Sequence, residues 1–293
     1  MLARTLVVTL FAAMAMACPE HDFHSRALHK RAEPGNMTWA YEASYDWARL
    51  SPDYVLCQDG TQQAPIPLRL DQGLSLHHSP TMEGYDRNVS GSFYNWGYGP
   101  AMTLAHPEGD FTGLPHLTFE EEKGQNVTVY MTGWHIHAPA DHSVQGDRSK
   151  AELHFVHVTA DGHPRAVLAF RIDPGSHDSE FFNQMTDLVS YRDAGKRIDA
   201  AYNLNLAISE ANSMDEFWTY KGTFSVQSAR HGVLTSCLLG SGSLTSPPCT
   251  EGIRFFVARQ IIFVGVEQMR AILRVSHYSA RSEQEVWLHE INV

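Results

Sequence analysis

The sequence predicts a mainly β, α+β fold: an antiparallel sheet with short helices at its periphery. Three observations predict it. Several short runs are rich in Val, Ile, Phe and Thr, the residue types that suit a pleated, half-buried surface. Helical spacing of apolar residues occurs in only two short stretches. From about residue 36 onward there is no internal repeat and no low-complexity linker, so 36–293 is expected to be a single domain.

Taken in order, the first strand is "NVTVYMTGWHIH" (126–137) and the next "AELHFVHVT" (151–159). "DGHP" at 161–164 has the composition of a hairpin turn, and it leads into a third strand, "RAVLAFRI" (165–172). "DSEFFNQMTDLV" (178–189) carries apolar residues at 181, 182, 185, 188 and 189, which predicts a helix. "GTFSVQ" (222–227) and "IRFFVARQIIF" (253–263) are expected strands, and "EQMRAILRV" (267–275) is a second helix.

Composition removes several classes of function. Hydrophobic content of 43% with 19% charged residues suits an ordinary globular chain. A net charge of −11 argues against nucleic acid or an anionic membrane as a partner. No run of about 18 apolar residues is present, so no spanning helix is expected. The N-terminus reads as a leader instead. Arg4 precedes the apolar run Thr5 to Ala17, and small residues lead into Cys18, which predicts a secretory signal peptide over 1–17. Lys30-Arg31 closes a polar stretch and suggests a propeptide over 18–31. Three N-x-S/T sequons, at Asn36, Asn88 and Asn126, agree with an extracellular glycoprotein. Cys18, Cys57, Cys237 and Cys249 are expected to pair in that compartment, and the sequence by itself permits any pairing.

Among 17 histidines, His135 and His137 stand two apart in "GWHIHAP". About one such pair is expected by chance at this histidine content, so the spacing alone is a weak signal. In a strand, however, residues i and i+2 share a face, and both imidazoles would converge on one ion. "ELHFVH" follows, and on its strand Glu152, His154 and Val156 would share one face. His154 could then lie across from the first pair. Three neutral nitrogens leave the fourth tetrahedral position of zinc open, as catalytic sites do, and Glu152 is placed to orient His154. Core histidines with satisfied hydrogen bonds would give the same pattern.

"GSLTSPPCTEG" (242–252) separates these readings. With it, the chain resembles the α-class carbonic anhydrases, the zinc enzymes that hydrate carbon dioxide. The resemblance runs over roughly residues 39–285 in six ordered motifs: "WAY" (39–41), "CQDGTQQAPI" (57–66), "NWGY" (95–98), "WHIHAPADH" (134–142), "AELHFVH" (151–157) and "GSLTSPPC" (242–249). It implies a large, twisted, mostly antiparallel central sheet with short peripheral helices and zinc at the base of a conical cleft. It implies reversible hydration of carbon dioxide to bicarbonate and a proton by zinc-bound hydroxide. His135, His137 and His154 match the zinc ligands. Thr245 matches the residue that orients the hydroxide, and Asp141 stands where a glutamate usually accepts that threonine's proton. Glu152 matches the carboxylate behind the ligands, with His142 beside it. Val156, Val167 and Leu244 match the apolar wall for carbon dioxide, with Ser246, Ile253 and Phe255 extending the pocket. Cys57 and Cys249 match a disulfide, which leaves Cys237 available for a disulfide-linked homodimer.

The sequence departs from the family pattern at several points. Asp141 is one methylene shorter than glutamate. Tyr98 replaces the histidine that shuttles protons in fast members, and a phenol is a poor shuttle near pH 7. A slower, buffer-dependent enzyme is therefore expected, with His77 or His78 as substitutes for the shuttle. Gly133 replaces a glutamine that holds a ligand histidine. No tyrosine directly precedes "GSLT", so His142 is expected to lose its usual partner. Of the family's C-terminal Asn-x-Arg-Pro element, only Arg281 survives. Two other functions compete. A cupin-like oxygenase or isomerase using iron or manganese would share H-x-H-x3-D, but its second motif is missing. A metal-free binding module would have lost a ligand, and here all three are present. Esterase side activity would not distinguish the physiological role.

Overall fold

The structure is a computed structural model that describes residues 39–75, 78–122, 124–193, 195–222 and 243–292. Its strands are β1 (Thr81–Glu83), β2 (Asn88–Asn95), β3 (Pro100–Leu104), β4 (His116–Glu122), β5 (Gln125–His137), β6 (Ser143–Val144), β7 (Asp147–Arg148), β8 (Ala151–Val158), β9 (Pro164–Gly175), β10 (Arg197–Asn203), β11 (Phe217–Gly222), β12 (Arg254–Ala258), β13 (Ile262–Gly265) and β14 (His289–Ile291). Short α-helices are α1 (Leu56–Asp59), α2 (Glu180–Asn183), α3 (Asn205–Glu210) and α4 (Val266–Arg274). Twelve strands form one mixed sheet whose long path runs β10-β2-β3-β5-β8-β9-β12-β11-β14. This is the expected mainly β architecture with few short helices.

β8 and the C-terminal half of β5 occupy the middle of the sheet. Every residue of β8 is buried, so both faces are covered. Alternation assigns the two faces different tasks. Trp134, Ile136, Leu153, Phe155, Leu168 and Phe170 point into the larger apolar core. The intervening residues, His135, His137, Glu152, His154 and Val156, share the opposite face. There, two smaller clusters form around Val167, Leu244 and Phe255 and around Tyr41, Trp47 and Trp96.

Two expectations change. The predicted helix over 178–189 is one turn only. Ser179 Oγ caps it by accepting from Phe182 N at 3.2 Å, and it ends at Asn183. Phe181, Phe182, Met185 and Val189 are still buried, so the apolar spacing is satisfied by a turn followed by irregular chain. The run 253–263 is two strands, not one. Between them, Arg259 N donates to Glu216 O, and Arg259 O accepts from Arg171 Nη2. Both of these strands pair parallel with β9, so the sheet is mixed within the mostly antiparallel arrangement expected. Of the strand expected at 222–227 only Gly222 is described, as the last residue of β11 (Phe217–Gly222), and 223–227 lies outside the described residues. The turn at 161–164 forms, with Gly162 at φ 87°.

Candidate metal centre

The site is built by register. β5 and β8 are antiparallel, with His135 opposite His154 and His137 opposite Glu152. Directly opposed residues hold their Cβ atoms about 5 Å apart on one face. The imidazoles of His135, His137 and His154 therefore meet, one ligand atom from each lying within 4.8 Å of the others. All three are shielded from solvent, at 0 to 1% exposed. Burial lowers the His137 pKa to about 3 and holds that of His135 well below the ordinary imidazole value. Both are accordingly neutral, the form a metal needs.

The tautomers of His137 and His154 follow from fixed acceptors. His137 Nδ1 donates to the Ser279 carbonyl at 2.6 Å, which leaves its Nε2 with a lone pair. His154 Nε2 donates to Glu152 Oε1 at 2.8 Å, which leaves its Nδ1 with a lone pair. His135 Nε2 and His137 Nε2 face each other at 2.9 Å. Lone pairs converging in a buried space call for a cation between them. Three neutral nitrogens with a carboxylate behind one of them suit zinc with an open position.

Glu152 is the hub behind the triad. Its Oε1 also accepts from His142 Nδ1 at 2.6 Å, and its Oε2 accepts from His142 N at 2.9 Å. Burial raises its pKa, but the His142 and His154 contacts outweigh that and hold it well below the usual carboxylate range. With Nδ1 donating, His142 Nε2 accepts from the Tyr220 hydroxyl at 2.8 Å. The expectation that His142 lacks a partner is thus overturned. The tyrosine comes from β11, on the far side of 223–242 from Ser243. Both flanks of that segment converge on Gln63 and Ala64. Gly222 pairs with His289, whose ring bonds Gln63 O, while Ser243 Oγ accepts from Ala64 N. "FWTYKG" was the signal that could have located Tyr220. Because Glu152 fixes two rings, Glu152→Gln is expected to weaken zinc affinity about 10- to 100-fold. Competition with a colorimetric chelator measures this, and an unchanged affinity would remove Glu152 from the centre.

One wall beside the histidines is apolar. Val156 opposes Val167, and Val167 neighbours Phe255 in the next strand. Phe255 lies 6.0 Å from His154 and 5.3 Å from His142, and Leu244 and Ile253 pack into the same cluster. Thr245 and Ser246 are buried on the following loop, and the Ser246 hydroxyl makes no hydrogen bond.

Cys57 and Cys249 form a disulfide that ties this loop to α1. Arg281, also fully buried, donates to Ala64 O at 2.7 Å, to Cys57 O at 2.9 Å and to Gln63 Oε1 at 2.9 Å. Its backbone N donates to Asp141 Oδ1 at 2.8 Å. Asp141 Oδ2 lies 3.5 Å from His137 Nε2 and accepts no hydrogen bond. A direct link from Thr245 to that oxygen is therefore not made. The short side chain is held at Arg281, and its second oxygen faces the triad.

Tyr98 does not reach the histidines with its hydroxyl, which donates to Trp39 O at 3.3 Å. Burial, then the nearby Glu42 charge, raises its pKa to about 12. Trp39, Tyr41, Trp96 and Tyr98 form an aromatic group in which Trp96 touches both His135 and His137. Sequence reasoning passed over Trp96 and Ser279. Asn88 and Asn126 are exposed near strand ends. Asn36, His77, Cys18, Cys237 and the leader lie outside the described residues.

A buried three-histidine centre on the middle strands of a twisted mixed sheet defines a metal-site fold with one apolar wall. No family model matches the chain. It is 24% identical over 247 residues to the carbonic anhydrase of Pectobacterium atrosepticum, spanning 83% of this chain and 85% of that one. Its fold matches the α-carbonic anhydrase of Thermovibrio ammonificans in complex with sulfanilamide, with a TM-score of 0.64 and 19% identity, covering 86% of this chain and 96% of that one. The fungal α-carbonic anhydrase of Aspergillus oryzae gives a TM-score of 0.62 at 20% identity, covering 83% and 89%. The chain is similar to the α-class carbonic anhydrases in sequence and in fold.

Proposed function

We propose that this chain is a zinc-dependent carbonic anhydrase, a carbonate dehydratase of the lyase class, acting on carbon dioxide and bicarbonate. The observation that carries the reading is the convergence of His135, His137 and His154, with the tautomers of His137 and His154 preset by Ser279 and Glu152. The chemistry that zinc supplies there is Lewis acidity, which makes water a nucleophile near neutral pH. Val156, Val167, Leu244 and Phe255 offer an apolar surface to a substrate that carries no charge or hydrogen-bond donor. Thr245 would position the attacking oxygen by accepting a hydrogen bond from it while donating its own hydrogen toward Asp141, the carboxylate behind it. Because Asp141 Oδ2 lacks a direct hydrogen bond, this relay runs through a water or a small shift of the loop, and turnover is slower than with a glutamate.

Proton release is the second consequence. Tyr98, tied to Trp39 O and with its pKa near 12, holds its proton at physiological pH. The proton then leaves to dissolved buffer. In stopped-flow hydration near pH 8, turnover is expected to rise several-fold with imidazole and then saturate, in keeping with the usual size of general-base effects. A rate indifferent to imidazole would mean that another group takes the proton.

The domain spans about 36–293 and the chain is exported, a reading supported by the leader pattern and the Cys57–Cys249 bond. Asn88 and Asn126 are exposed enough to carry glycans. Cys237, left over by that bond, would link two copies. A non-reducing gel showing only monomer with one free thiol removes the dimer.

A further inference from the structure

Trp96 sits between the metal-binding histidines and the partly exposed aromatic side chains. Exposure rises outward from His135 and His137 at 0%, through Trp96 at 5%, to the half-buried Trp39 and Tyr98. The indole meets His135 edge-on at 5.6 Å and His137 at 5.5 Å between ring centroids. It is pinned there, because Trp96 Nε1 donates at 3.2 Å to the carbonyl of Ile136, the residue between the two histidines. Tyr98 packs against its outer side at 4.9 Å and Tyr41 at 6.2 Å. A ring held on several sides and by one hydrogen bond does not swing aside cheaply. Val167, Leu244 and Phe255 belong to a separate apolar cluster. Bulky rings of two clusters therefore contact the histidines: Trp96 meets His135 and His137, and Phe255 meets His154 at 6.0 Å.

We propose that Trp96 is the residue that sets the size of molecule able to reach the metal, admitting slender species and excluding broad ones. The inference rests on the zinc-centre reading above. Carbon dioxide, bicarbonate and triatomic anions pass; planar aromatic anions meet the indole. No charge on Trp96 is involved, so the discrimination is one of shape. An indole also offers no acceptor and only one N–H, already used, so water beside it finds few partners.

The test uses the full chain loaded with cobalt(II), whose visible absorption reports ligands entering the metal's open position without any turnover. Azide is the slender probe and benzenesulfonamide the broad one. For Trp96→Ala, azide affinity is expected to stay within about threefold of the parent, while benzenesulfonamide binds at least about tenfold more tightly, a gain of the order of one good packing contact. Trp96→Phe, which keeps a smaller ring, should fall between, and it carries the test if the alanine variant does not fold. Equal changes for both probes, or none for either, would overturn the proposal and leave Trp96 as packing alone. Absence of the cobalt spectrum in the parent would instead overturn the zinc-centre reading, and this inference with it.

Discussion

His154→Ala is expected to abolish both zinc binding and catalysis. His154 is the one triad member supplied by β8, and its Nε2 is held by Glu152, so no neighbouring side chain substitutes for its Nδ1. Two histidines two residues apart on β5 would remain, too few to hold the metal against water. Zinc content should fall from one per chain to near none. Hydration should fall at least about a thousandfold, because the metal contributes several kcal/mol of the barrier and each 1.36 kcal/mol is a factor of ten. Near-UV circular dichroism separates this from unfolding. Retention of a full equivalent of zinc in a folded variant would show that the ligands lie elsewhere.

Arg281→Met should have the largest effect on stability. The guanidinium is fully buried and satisfies two backbone carbonyls and the Gln63 side chain at once. It also lies over the Trp47 ring at 5.4 Å. Methionine fills much of the space but donates nothing. Leaving buried acceptors unpaired costs about 1–3 kcal/mol each, so a loss of roughly 3–5 kcal/mol is expected, less than the full sum because the carbonyls can relax. Urea unfolding of the zinc-free chain measures it without the contribution of metal binding. A loss under about 1 kcal/mol would mean that water replaces the guanidinium freely. The backbone N that holds Asp141 is retained in this variant, so the centre's geometry should survive wherever the chain is folded.

Much of the site was legible because its residues are local. His135, His137, Glu152 and His154 lie on two strands whose alternation is plain, and strand register does the rest. Val156 followed from the same alternation, whereas Val167 and Phe255, on the neighbouring strands, came only from the family resemblance. What escaped was assembled from distant chain. Ser279 contributes a backbone carbonyl, which any residue type supplies and no side-chain pattern marks. Tyr220 is separated from Ser243 by 223–242, so reading backward from "GSLT" finds no tyrosine although β11 delivers one. Trp96 belongs to a motif read for its tyrosine, and only its placement against two imidazoles gives it a role.

In the fold, periodicity misled where burial did not require a regular element. The apolar spacing of 178–189 is helical, yet only Glu180–Asn183 forms a helix while Met185 and Val189 bury themselves from irregular chain. The parallel pairing of β12 and β13 with β9 left no trace either, since strand composition does not encode the direction of a neighbour.

Zinc titration of the hydration rate bears most directly on the central claim. Chelator-stripped protein is assayed by stopped flow near pH 8 in saturating imidazole while zinc is restored in steps. The account predicts a linear rise that stops at one zinc per chain. Stoichiometric binding of zinc with no hydration of carbon dioxide, or hydration that is the same with and without zinc, would contradict it.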